Sequence, residues 1–80
     1  MHNNNLENLH LILEEVFPNN PLPNDISDLR MGDIPSWDSL GNFNLILAVE
    51  TKFNTRFSME QISEIKSVTE ILKALEISNE

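Results

Sequence analysis

The run from Ser39 to Phe53, SLGNFNLILAVETKF, constrains this chain more than any other segment. It holds no proline, and its apolar residues recur at helical spacing. Turning about 100° per residue gathers Leu45, Ile46, Val49 and Phe53 on one arc and Leu40, Phe43 and Leu47 on an adjoining one. An outer helix of a small helical domain needs an apolar stripe only a little over ~100° wide, and the two arcs together exceed that. Either the helix is central and buried on nearly all sides, or one arc is left for a partner. The second reading assigns Leu45, Ile46, Val49 and Phe53 to the core and Leu40, Phe43 and Leu47 to a docking surface.

The rest of the chain also reads as helix. Leu6, Leu9, Leu13, Val16 and Phe17 recur at three and four, which predicts a first helix with Asn4 as its cap and Glu7 three residues on. The segment PNNPLPN, Pro18 to Asn24, ends it by removing backbone donors and favouring turns. From Asp25 to Trp37 an ordered loop is expected, pinned by Ile26, Leu29, Ile34 and Trp37, with room for a short helical turn at Ser27 to Arg30. Ser58 with Gln61, and Ser67 with Glu70, have capping-box spacing. They predict a short third helix carrying Ile62 and Ile65, and a fourth carrying Val68, Ile71, Leu72 and Leu75. So few apolar residues make the third helix the element expected to be held most loosely. No segment alternates with period two over a useful length, and no repeat of roughly 20 to 50 residues is present. The expectation is an all-α fold: a small four-helix bundle, long, long, short and medium, with a long ordered loop between helices 1 and 2. It forms a single domain over residues 1–80, frayed at 1–5 and 77–80.

At 80 residues the chain buries only about 60% or a little more of the surface its unfolded form exposes, so the core is thin. There is no cysteine, which excludes disulfides and thiolate metal sites and suits the cytoplasm. Apolar runs such as Leu45 to Val49 fall far short of the ~20 residues that span a bilayer, and the N-terminus lacks a secretory pattern. A cytoplasmic monomer with no membrane association is expected. Thirteen acids against five bases give a net charge of -8, which repels nucleic acid and anionic membranes and attracts basic protein surfaces. The same charge also serves simply to keep a small domain soluble.

At the head of the long apolar helix stands IPSWDSLGN, Ile34 to Asn42. Asp38 or Ser39 suits an N-cap, worth about 1 kcal/mol. Ser39 equally suits a phosphate ester, because free amides and the positive end of the helix dipole meet there. Under that reading Asp38 caps the helix or meets a basic or metal-bearing group of a modifying enzyme, and Gly41 leaves space beside Ser39. Nucleophilic catalysis has little support: there is no Gly-x-Ser-x-Gly elbow, and the only histidines are His2 and His10, the latter read as a half-buried packing residue. Two histidines without cysteine do not make a zinc site, the acids lack EF-hand spacing, and Gly32 and Gly41 form no phosphate-binding loop. No self-contained active site is expected, and the chain does not read as an enzyme.

WDSLGNFNLILAVETKF, Trp37 to Phe53, resembles the modification-site helix of acyl carrier proteins, whose central Asp-Ser-Leu motif is matched by Asp38, Ser39 and Leu40. RFSMEQISEIKSVTEILKAL, Arg56 to Leu75, resembles that family's third and fourth helices, including the turn into Ser67 and Val68. The similarity covers about Leu6 to Leu75. It implies that Ser39 receives 4'-phosphopantetheine from coenzyme A through a separate phosphopantetheinyl transferase, and that the terminal thiol carries acyl groups as thioesters between enzymes. It also implies that Leu40, Phe43 and Leu47, joined by Glu50, meet the basic and apolar docking patches of loading and processing enzymes. Carriers of fatty acid synthesis usually place several acids along this helix, whereas Gly41, Asn44 and Thr51 stand here where acids are common. Trp37 and the GDIPSW lead-in are more similar to stand-alone carriers of specialised pathways, in a fatty acid or polyketide setting. Peptidyl carriers usually show Gly-Gly before the site, and Ser36-Trp37-Asp38 departs from that. Aminoacyl or peptidyl loading remains an alternative, as does an unmodified helical interaction module.

Overall fold

A computed structural model of the protein describes residues 4–78. It contains four helices: α1 (Asn4–Val16), α2 (Ser39–Phe53), α3 (Met59–Glu64) and α4 (Val68–Ser78), and no strand is present among the described residues. α1 begins at Asn4 itself, so Asn4 and Asn5 are helical rather than frayed, and Asn4 lies inside the helix instead of capping it. Ile77 and Ser78 are likewise helical. Residues 1–3 and 79–80, for which frayed ends are expected, lie outside the described residues.

The core forms where the stripes of α1, α2 and α4 meet. Leu9, Ile12 and Leu13 of α1, Leu45, Ile46 and Val49 of α2, and Val68, Ile71 and Leu75 of α4 are all sealed from solvent. α1 packs against both α2 and α4. Phe53, expected in the core, is only half-buried in the last turn of α2.

The connection from α1 to α2 is ordered without being helical. Ile26, Ile34 and Trp37 drop into the core, while Leu29 is half-buried. A single turn closed by the Leu29 N–H on the Ile26 carbonyl (3.0 Å) stands where a helical turn is expected. Arg30 then pairs antiparallel with Ser67, flanked by hydrogen bonds from Met31 N–H to Lys66 O (2.8 Å) and from Val68 N–H to Leu29 O (3.0 Å). These bonds fasten the loop to the head of α4. Gly32 follows with φ of 102°, a left-handed conformation that favours glycine, and donates to Trp37 O at 3.0 Å.

The caps predicted for α3 and α4 form, with one variation. Ser58 and Gln61 make the reciprocal box at α3, with bonds of 2.8 and 3.1 Å. At α4, Glu70 N–H donates to Ser67 Oγ (3.1 Å), but the Glu70 carboxylate reaches back one residue further, to Lys66 N–H (2.7 Å). α2 ends on Asn54 in the left-handed region, with Thr55 N–H on Glu50 O (3.0 Å) and Asn54 N–H on Thr51 O (3.4 Å), a Schellman closure. α3 contributes no buried residue; Phe57 before it and Ile65 after it are the side chains that enter the core. No helix among the described residues is long and apolar enough to cross a membrane.

Candidate functional site

The start of α2 separates the two roles that the sequence leaves shared between Asp38 and Ser39. Asp38 is extended (φ -102°, ψ -164°), and its Oδ1 accepts from Gly41 N–H at 2.8 Å. Its carbonyl accepts from Asn42 N–H at 2.7 Å. Asp38 is therefore the N-cap. Ser39 is the first helical residue, exposed, and its hydroxyl has no hydrogen-bond partner among the described residues. The N–H groups of Ser39 and Leu40 also find no acceptor there, so two unused donors stand at the positive end of the helix beside a free hydroxyl.

Beneath this hydroxyl lies a rigid bracket. Trp37 is fully buried, stacks on Phe17 with ring centroids 6.0 Å apart, and donates its indole N–H to Asn42 Oδ1 at 2.8 Å. The Asn42 amide nitrogen in turn donates to Ile65 O at 2.7 Å, where α3 ends. Asn42 is the one polar residue buried as a whole among the described residues, and both of its polar side-chain atoms are satisfied.

Gly41 has a different reason from the one its position suggests. A Cβ there would collide with the Ser36 carbonyl and lie 3.1 Å from the Phe17 ring. The missing side chain lets the loop cross tightly over the first turn of α2; it does not leave room beside Ser39.

Outward from Ser39, Leu40, Phe43 and Leu47 are 70%, 44% and 43% exposed, while Leu45, Ile46 and Val49 are sealed. The two arcs read from the sequence thus divide as one buried and one solvent-facing. Glu50 behaves differently from the three apolar residues. It is half-buried, and its Oε2 accepts from Phe57 N–H at 2.8 Å, so its carboxylate braces the α2–α3 turn. Leu47 and Thr51 share an open cleft with Asn54, Arg56 and Phe57 at the far end of the helix.

His10 is half-buried on α1, with Nδ1 3.7 Å from Glu14 Oε2 one turn on, and His2 lies outside the described residues. No cluster of three metal-ligating side chains occurs among the described residues. Away from the site, Asp25 is held below the usual carboxylate range by hydrogen bonds from the Ser27 hydroxyl and N–H.

Sequence periodicity finds Ser39 and its apolar neighbours but misses Asn42 and the true role of Gly41. The available signal for Asn42 is its place on the buried arc, between Leu45 and Ile46 in angle, with a tryptophan N–H nearby in need of an acceptor. Comparison with family models, curated proteins and solved structures finds no match to the chain.

Proposed function

We propose that the protein is a carrier, modified on Ser39 with 4'-phosphopantetheine and shuttling acyl groups as thioesters between partner enzymes. One observation carries the reading: Asp38 caps α2, which leaves Ser39 exposed with a free hydroxyl, immediately before the solvent-facing residues Leu40, Phe43 and Leu47. A serine needed as a cap would be a poor attachment point, and this one is not needed.

The site fits the group. Ser39 offers the oxygen for a phosphodiester, and the unused N–H groups of Ser39 and Leu40 favour its negative charge. Asp38, the sequence neighbour of Ser39, has its Oδ1 turned to Gly41 N–H. When attached, the group supplies the thiol that a cysteine-free chain lacks. The chain itself holds the serine at a fixed helix end, through Trp37, Gly41 and Asn42, and contributes no catalytic residue. Its partners in this reading are a phosphopantetheinyl transferase and the enzymes that load and process the cargo, in the cytoplasm. The proposed arrangement is a bundle of α1, α2 and α4 with α3 as its short fourth member.

Incubation with coenzyme A and a broad-specificity phosphopantetheinyl transferase, followed by intact-mass measurement, tests the reading. One phosphopantetheine is expected on the wild type and none on Ser39→Ala; an unmodified wild type overturns it. Aminoacyl or peptidyl loading differs only in cargo. The exposure of Leu40, Phe43 and Leu47 also supports an unmodified interaction module, for which partner binding would be indifferent to Ser39→Ala.

A further inference from the structure

An acyl chain tethered at Ser39 either buries itself in the bundle or stays in water, and burial of its methylenes is favoured wherever a way in stands open. The interior under the head of α2 is full. Trp37, the largest of the fully buried side chains, stacks there on Phe17, and Leu45, Ile46, Val68 and Ile71 are sealed from solvent. Close-packed side chains of this kind make room only by leaving their rotamers or moving backbone. One turn along α2 from Ser39, the helix meets the end of α3, and a hydrogen bond crosses the seam: the Asn42 amide nitrogen donates to Ile65 O at 2.7 Å. The Oδ1 of the same side chain holds the Trp37 indole at 2.8 Å. A hydrocarbon chain entering here must part both bonds. It offers no donor or acceptor in return, and the separated groups lie away from water, which is the costly way to lose a hydrogen bond. The groove between α3 and α4 is no better a berth. It holds about 190 Å³, opens to solvent, and sets Gln61, Glu64, Glu70 and Lys73 around Ile65 and Ala74, so an alkyl chain laid in it would strip water from charged groups.

We infer that the cargo on Ser39 is carried outside the bundle, with the Asn42–Ile65 bond as the closure of the α2–α3 seam, and that the chain accordingly serves short or polar acyl groups. This rests on the carrier reading above and deepens it by naming the class of cargo. A long alkyl chain left in water is an exposed apolar surface that promotes association, whereas a short or polar acyl group, aminoacyl groups included, carries no such cost.

The test loads the full chain with acetyl-, octanoyl- or dodecanoyl-phosphopantetheine, each transferred whole from the matching coenzyme A thioester by a broad-specificity transferase. Intact mass establishes the loading, and melting temperature and amide exchange are then compared. The octanoyl and dodecanoyl forms of the wild type are expected to melt within about 2 °C of the acetyl form, with unchanged exchange at Leu45 to Val49. Burial of several methylenes would instead raise the melting temperature of a domain this small by about 8 °C or more. Asn42→Ala removes the closure and leaves a gap in its place. Its acetyl form is expected to melt below the wild type, and its octanoyl form to recover by about 4 °C or more. Circular dichroism confirms that the variant keeps its helices, and the wild-type comparison stands whether or not it does. A wild type whose melting temperature climbs with chain length, or a folded Asn42→Ala that treats octanoyl and acetyl alike, overturns the closed seam while leaving the carrier reading intact. A wild type that accepts no phosphopantetheine defeats both.

Discussion

The indole N–H of Trp37 and the Oδ1 of Asn42 meet at 2.8 Å beneath the first turn of α2, and the other half of the same amide holds Ile65 O at 2.7 Å. One side chain thereby ties the loop before Ser39, the helix that bears Ser39 and the end of α3. Asn42→Leu leaves the indole N–H and the Ile65 carbonyl without partners in the interior, where each unmade bond costs about 1 to 3 kcal/mol. A loss of about 2 to 4 kcal/mol is expected on that basis in urea unfolding followed by the fluorescence of Trp37, the single tryptophan. Asn42→Asp keeps an acceptor for Trp37 but sets a carboxylate against Ile65 O, so it should weaken the α3 tie selectively. A Leu variant as stable as the wild type would show that the bracket does not hold the site.

Gly41→Ala separates helix propensity from packing. In an open first turn, alanine should stabilise by up to about 1 kcal/mol. Here the new methyl meets the Ser36 carbonyl, which is backbone and cannot rotate away. The expected result is a destabilisation of about 2 kcal/mol or more, with a shifted Trp37 emission, since crowding of this kind forces backbone movement. A higher melting temperature would contradict the tight crossing of the loop.

Asp38 and Ser39 are adjacent in sequence and opposite in role. Asp38→Ala removes the bond to Gly41 N–H and should cost about 1 kcal/mol. Ser39→Ala removes a hydroxyl that bonds nothing among the described residues, and should stay within about 0.5 kcal/mol of the wild type. Denaturant midpoints of the two variants, measured side by side, check this. Equal losses would return Ser39 to a structural role.

Hydrogen exchange should distinguish α3 from the other helices. With no buried residue of its own, the helix is secured by its capping box, the Glu50–Phe57 bond and the Asn42–Ile65 bond. Its amides at Gln61 to Glu64 should exchange well before those of Leu45 to Val49, by local opening rather than global unfolding. Protection equal to that of α2 would contradict a helix held mainly from its ends.

The parts of the fold legible in the sequence are those governed by local rules. The period of α2 locates its two arcs, and Ser-x-x-Gln at Ser58 locates the start of α3. What escapes is set by approach from a distance. A glycine at position 41 shows that a side chain is missing, but not that the Ser36 carbonyl fills its place. Asn42 is polar and so drops out of an apolar pattern, although it is buried. Glu50 counts as an available acid until the turn brings the Phe57 amide to it. At the candidate site, Ser39 and the exposed arc are visible in one dimension, and the bracket that fixes them is not.

The pairing of Arg30 with Ser67 also governs the order in which the molecule can be completed. Its flanking bonds, and the bond from Asn42 to Ile65, draw on residues 65–68 to fix residues 29–42, so they close over a long stretch of intervening chain. Contacts of that kind form late, after the entropy of the loop has been overcome. A chain emerging from synthesis can wind α2 early, yet it holds Ser39 on an unfastened approach until the head of α4 arrives. The setting of Ser39 is thus a property of the finished fold, reached only once the head of α4 is in place.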